Sequence, residues 1–231
     1  VKHRYQVSYP NNVRVITPLL EYPLGEKPLE IDTTGSALEK IAVRVSEDAT
    51  TIVAIANDKS QGTNKIRLSS FQNEKSLFAE EATLQRTDSI LNISATAITD
   101  ILIDKEDHYL FLVSINGQLI VFVINDKSSP ILRQTQDVVG AEQTITGLSF
   151  LNGDLSLLIG DSTGRVSQWS MVKDNLNHLA MQKIRSIQVS EKAVVEIKGQ
   201  QRRKGFMAIY TNGLKGIYHT TAEIELIKQQ I

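Results

Sequence analysis

The sequence predicts an all-β fold of β-propeller type, made of antiparallel sheets that repeat every 47–50 residues or so. Three observations lead there. First, 59 of the 231 residues are Ile, Val or Thr, whose side chains are stiff at χ1 and suit a pleated surface better than a helix. Second, a glycine hairpin recurs at Asn116-Gly117, Thr163-Gly164 and Asn212-Gly213, spaced by 47 and 49 residues, with an aromatic residue five positions later each time: Phe122, Trp169 and Tyr218. Third, an apolar residue in a strand-like run stands sixteen positions before each glycine: Ile101, Leu148 and Ile197.

The segments between these landmarks read as one unit repeated. The runs ITDILI (98–103), ITGLSF (145–150) and VVEIK (194–198) open it, and apolar runs at 109–113, 155–159 and 206–210 follow. Such a middle run, apolar on both faces, fits a strand covered from both sides. Asn-Gly is a strong two-residue hairpin signal because both residues tolerate positive φ. The closing aromatic offers a large area to bury against the neighbouring unit. Strand, turn, strand, hairpin and strand at this period read as a propeller blade. A fourth, outer strand is expected in the more polar segments 77–87, 131–139 and 179–189, as edge strands tend to be polar; LFAEEATL (77–84) reads equally as a short helix.

A fainter unit comes first: AVRV (42–45), TTIVAIAN (50–57) and KIRLSSF (65–71), with no glycine five before Phe71. Before it, Tyr9-Pro10-Asn11-Asn12 reads as a turn and VRVIT (13–17) as a strand. Pro18, Pro23, Gly25 and Pro28 then break the chain repeatedly. Residues 1–38 are therefore expected to be an extended lead-in able to supply a closing strand, and 39–231 the repeat domain, with units near 39–90, 95–140, 142–190 and 191–231. Four units fit either a small four-blade arrangement or part of a larger ring.

Composition excludes several functions. Lys plus Arg is 25 and Asp plus Glu 26, for a net charge of −1, so the basic footprint of a nucleic-acid binder is missing. Cysteine is absent, which removes disulfides, Cys-based zinc sites and thiol nucleophiles. The chain begins with Val1 and carries no signal-peptide pattern. Its longest apolar stretch, Leu119–Ile124, has strand length. With the charged–apolar alternation of 223–228 running almost to the last residue, this leads us to expect a fragment of a longer protein.

The search for chemistry finds little. His3, His108, His178 and His219 have no metal-ligand spacing, and no metal or cofactor is expected. GDSTG (160–164) superficially resembles a phosphate cradle but runs into a strand without a following Gly-Lys-Ser/Thr, so it reads as a hairpin. Asp104, Glu106 and Asp107 surround a turn, with Glu47-Asp48 at the equivalent place in the first unit. Their repetition marks a structural role, since Asp bonds nearby backbone amides in turns. Arg202-Arg203-Lys204 is the one local cationic run, a solvated turn or a contact for an acidic partner, headgroup or phosphate. No catalytic residue is expected. Trp169 reads as core.

Two resemblances follow from these residues. DSTGRVSQW (161–169) looks like the last strands of a WD40 repeat. However, no Gly-His opens a unit, and the residue after the aromatic is Val123, Ser170 or His219, never Asp, so the family's hydrogen-bonded tetrad is missing. EYPLGEKPLEID (21–32), IGDSTGRVSQW (159–169), RRKGF (202–206) and GIYHTTAE (216–223) resemble the large soluble insert of PstC-type phosphate ABC transporter permeases. That resemblance implies a non-catalytic, periplasmic domain at the inner membrane, docking or regulatory in phosphate uptake. Its partners would be the phosphate-binding protein and the other permease and ATPase subunits. Membrane helices and the transport path would lie outside this chain, so no transport residue is carried over. The alternative is an intracellular WD40-like scaffold for protein or peptide partners. A propeller enzyme would need a convergent acid, His or metal cluster that the sequence does not present.

Overall fold

The computed structural model describes residues 2–21, 37–46, 49–58, 63–74, 83–93, 97–151, 154, 156–173, 179–200, 205–219 and 224–230. The chain opens with a hairpin of β1 (Lys2–Ser8) and β2 (Val15–Glu21), turned by a 3₁₀ segment at Pro10–Asn12 in which Asn11 and Asn12 take positive φ. These two strands pair with each other in a two-stranded sheet.

Four antiparallel four-stranded sheets follow, here called blades. Blade 1 holds β3 (Ala37–Val45), β4 (Ala49–Asp58), β5 (Thr63–Glu74) and β6 (Thr83–Leu91). Blade 2 holds β7 (Ile98–Ile103), β8 (Tyr109–Ser114), β9 (Gln118–Val123) and β10 (Ile131–Asp137). Blade 3 holds β11 (Ile145–Leu151), β12 (Ser156–Asp161), β13 (Arg165–Lys173) and β14 (Leu179–Gln188). Blade 4 holds β15 (Val194–Gly199), β16 (Gly205–Tyr210), β17 (Leu214–His219) and β18 (Ile224–Gln230). Within each blade the strands pair in chain order. The polar segments at 131–139 and 179–189 are outer strands, as is Thr83–Leu91; residues 77–82, where strand and helix stood equal, lie outside the described residues.

The repeat in the sequence is a repeat of hydrogen bonds. Gly117, Gly164 and Gly213 have φ of +80°, +80° and +79°, and each amide donates to the residue three before it. Ile115, Ser162 and Thr211 donate to Ala97, Thr144 and Ala193, tying each hairpin to the entry of its own blade. Each first strand carries a register shift in the same phase: Leu38/Lys40, Ile98/Asp100, Ile145/Gly147 and Val194/Glu196. The first of these places the faint opening unit in the same architecture, although it lacks the glycine.

The core lies between blades. Val53, Ile55, Ile66 and Leu68 of blade 1 meet Ile101, Leu112, Ile120 and Phe122 of blade 2. Phe111, Val113 and Val121 of blade 2 meet Leu157, Ile159 and Trp169 of blade 3. Leu158 and Val166 of blade 3 meet Ile197, Phe206 and Tyr218 of blade 4. So Phe122, Trp169 and Tyr218, five residues after their glycines, each reach back to the preceding blade. Edge-to-face contact between Phe111 and Phe150 and stacking of Phe206 on Tyr218 add to these seams.

Polar clasps cross the same seams. Thr51 of blade 1 donates to Asp107 Oδ2 of blade 2 at 2.6 Å. Lys127 Nζ lies 3.2 Å from the same carboxylate and donates to the carbonyls of Asp107 and Ile124. Asp107 is buried, so its carboxylate relies on these partners for its hydrogen bonds. Thr51→Val keeps the shape but removes one charge-assisted bond, and urea unfolding should show a loss of about 1.5–3 kcal/mol. At the outer rim, Gln134 acts as a strand residue with its side chain: its amide donates to the Met181 carbonyl at 3.2 Å and accepts from the Met181 amide at 2.8 Å. Gln136 and Arg133 donate to Met181 and Leu179 carbonyls.

Candidate interaction surface at the blade 2–blade 3 seam

The glycine hairpins and the links between blades come together at one end of the blade 2–3 and blade 3–4 seams. The amide of Val138 donates to Gly117 O, and those of Val189 and Ser190 donate to Gly164 O. Between blades 2 and 3 this leaves a cleft of about 270 Å³ lined by Asp137, Val138, Gly140 and Gln143 on one side and Asp161, Arg165, Ser167, Trp169 and Lys183 on the other.

Each wall has a local cause. Asp161 closes its own hairpin: its Oδ1 accepts from the Thr163 amide and hydroxyl and from the Arg165 amide at 2.6–3.1 Å. This settles GDSTG as a turn and not an anion cradle. Trp169 is 6% exposed and donates from Nε1 to Ser167 Oγ at 2.9 Å, which fixes the indole at the base of the cleft together with Val138. Arg165 donates to Gln188 Oε1 and Gln118 to Asp137. Arg165, Lys183 and Asp137 are exposed at the rim. The result is a largely polar cleft with a rim of both charge signs above the nearly buried Trp169 and Val138.

A second polar group lies at the other end of the blades. Arg44 of β3 donates to the Lys105 carbonyl and reaches Asp154 Oδ2, both at 3.4 Å, spanning from blade 1 to the β11–β12 turn of blade 3. Burial pushes the Asp154 carboxyl above the usual range; Arg44 opposes this and Asp104 adds to it. Asp104 Oδ1 accepts from the His108 and Tyr109 amides, the turn-capping role expected of it.

Arg202, Arg203 and Lys204 lie outside the described residues, as do Glu47, Asp48 and His178. Among the described residues no three His, Cys, Asp or Glu side chains gather as a metal group, and no helix is long and apolar enough to cross a membrane. The cleft, the Thr51–Asp107–Lys127 clasp and the Gln134 clasp escaped sequence reading. The alternating glutamines of RQTQ (133–136) were the available signal for the last.

Four-stranded antiparallel blades, packed face to face around apolar seams, make a β-propeller-like, WD40-like fold. Among solved structures, the chain resembles the β-propeller domain of Cps50 (Swd1) from Myceliophteria thermophila, with TM-score 0.53 and 14% identity over 94% of this chain and 64% of that one. It also resembles Sqt1 of Chaetomium thermophilum, solved bound to the N-terminus of a ribosomal protein, with TM-score 0.59 and 15% identity over 99% of this chain and 56% of that one. The chain thus spans less than two thirds of either neighbour, and at this identity the likeness is one of fold. No protein-family model matches the sequence, and no curated protein matches it.

Proposed function

We propose that this chain is a non-catalytic protein-interaction scaffold whose cleft between blades 2 and 3 receives a short peptide segment of a partner protein. The observation that carries the reading is the cleft's construction between two blades, a mainly polar lining with Asp137, Arg165 and Lys183 at its rim and the edges of Trp169 and Val138 at its base. Concave sites with a few placed polar groups are where recognition concentrates. That a neighbour of the same fold, Sqt1, was solved with the N-terminus of another protein supports the class of partner.

Peptides selected from a random library on the intact chain test this. Selected peptides are expected to bind Lys183→Glu at least about tenfold more weakly, as a charge reversal at a recognition rim costs on the order of 1–2 kcal/mol. Equal binding to both proteins would sink the cleft as the site.

A narrower reading makes this scaffold the periplasmic insert of a phosphate permease, docking on the phosphate-binding protein and contacting anions through Arg202, Arg203 and Lys204. It rests on the short motifs at 21–32, 159–169, 202–206 and 216–223; the structural neighbours lend it no support. Membrane helices flanking this chain in its gene would favour it, and a gene encoding only further soluble repeats would end it.

A further inference from the structure

The outer strand of blade 1 differs from those of the other blades. Pairing of β10 with β9 steps out of register between Leu132 and Gln134, that of β13 with β14 between Gln168 and Trp169, and that of β17 with β18 between Ile217 and Tyr218. Such bulges bend an edge and blunt it against further pairing. The edge of β14 is also occupied by the Gln134 side chain, which holds the Met181 amide and carbonyl. β6 carries no bulge: its register on β5 runs unbroken from Glu74–Thr83 to Ile66–Leu91. It is the last strand of its sheet, and among the described residues no strand pairs with its outer side. A long, straight edge is a template for another strand.

The sequence of β6 says which strand fits. Leu84, Arg86, Asp88 and Ile90 alternate onto one face. Leu84 is 40% and Ile90 59% exposed. Between them Arg86 and Asp88 pair at 2.7 Å, and the guanidinium lies over the Phe71 ring. The order apolar, cation, anion, apolar is complementary to its own reverse. An antiparallel copy centred on Thr87 sets Leu84 against Ile90, Arg86 against Asp88 and Thr87 against Thr87. Each is a favourable cross-strand pair. On the other face Gln85 meets Ser89. A slip of two residues in either direction sets Arg86 opposite Arg86 or Asp88 opposite Asp88, and like charges directly opposite are unfavourable. Charge therefore fixes the register.

We infer that two copies of this chain pair through β6, antiparallel about a two-fold axis at Thr87, and join two four-stranded blades into one continuous sheet. The contact is isologous, the same edge serving both partners. It uses the outer edge of blade 1 and no seam between blades, and it leaves the blade 2–blade 3 cleft open.

The chain has no cysteine, so single thiols report the register. Thr87→Cys lies on the axis and is expected to cross-link to itself under mild oxidation. Leu84→Cys stands about 20 Å along the strand from its own copy and should not, whereas Leu84→Cys mixed with Ile90→Cys should give a covalent dimer. In sedimentation velocity the unmodified chain should pass from monomer to dimer as concentration rises. Arg86→Glu should raise the dissociation constant at least tenfold, and Arg86→Glu/Asp88→Arg should restore it, with an unchanged far-ultraviolet spectrum in both. If the charge swap disturbs folding, the thiol pattern decides alone. A chain monomeric at every concentration overturns the inference, as does a dimer that Arg86→Glu does not weaken. Self-cross-linking of Leu84→Cys as readily as of Thr87→Cys also overturns it, since that requires a different register.

Discussion

Replacing Trp169 by Ala is expected to lower unfolding stability by about 3–5 kcal/mol, the range for removing a large aromatic from a core. Trp169 is the bulkiest side chain in the blade 2–blade 3 seam and is 6% exposed among Phe111, Val121, Leu157 and Met181. The sheets on both sides are held by backbone ladders and cannot collapse into the space left behind, which puts the cost at the upper part of the range. Trp169→Phe should recover most of the loss but not the bond to Ser167 Oγ. The cleft adds a second readout, because the indole edge also lies at its base. Trp169→Ala should weaken peptide binding under conditions where the protein is still folded. A urea midpoint unchanged in Trp169→Ala would mean that the seam does not depend on its aromatic.

The repeat was legible because its causes are local. Positive φ at Gly117, Gly164 and Gly213, the apolar middle strands and the returning aromatics all follow from residue type and spacing, so the blade pattern could be read without coordinates. The opening blade was fainter because Thr63–Glu74 enters without the glycine hairpin, yet its register shift at Leu38/Lys40 keeps phase. What stayed hidden depends on residues far apart in sequence. Thr51 and Asp107 are 56 positions apart, and Gln134 and Met181 are 47 apart. Nothing in the composition of a strand announces a partner across a seam. The cleft is likewise a product of docking: Asp137 and Lys183 belong to different blades, and their approach is set by how the seam packs.

The hairpin glycines differ in what surrounds them, and this separates conformational cost from packing cost. At Gly213 an added Cβ meets nothing within 4 Å, so Gly213→Ala should cost only the left-handed backbone penalty of about 1–2 kcal/mol. At Gly164 the same Cβ would lie 2.2 Å from the Ser190 carbonyl oxygen and 2.5 Å from that of Lys192. These are backbone atoms in the link from blade 3 to blade 4, and they cannot rotate away as a side chain can. To make room, the link must move off Gly164, whose carbonyl accepts from the Val189 and Ser190 amides. Gly164→Ala therefore combines the same backbone penalty with overpacking and the loss of those bonds, about 3–5 kcal/mol in all. Gly117 is intermediate, since its close neighbour at 2.3 Å is a methyl of Val139, and Val139→Ala should rescue Gly117→Ala in part. Chemical denaturation of the three alanine variants decides the matter. If Gly164→Ala and Gly213→Ala lose equal stability, the glycines serve the turn alone; if Gly164→Ala loses more, the hairpin of one blade is also the seat on which the link to the next blade rests.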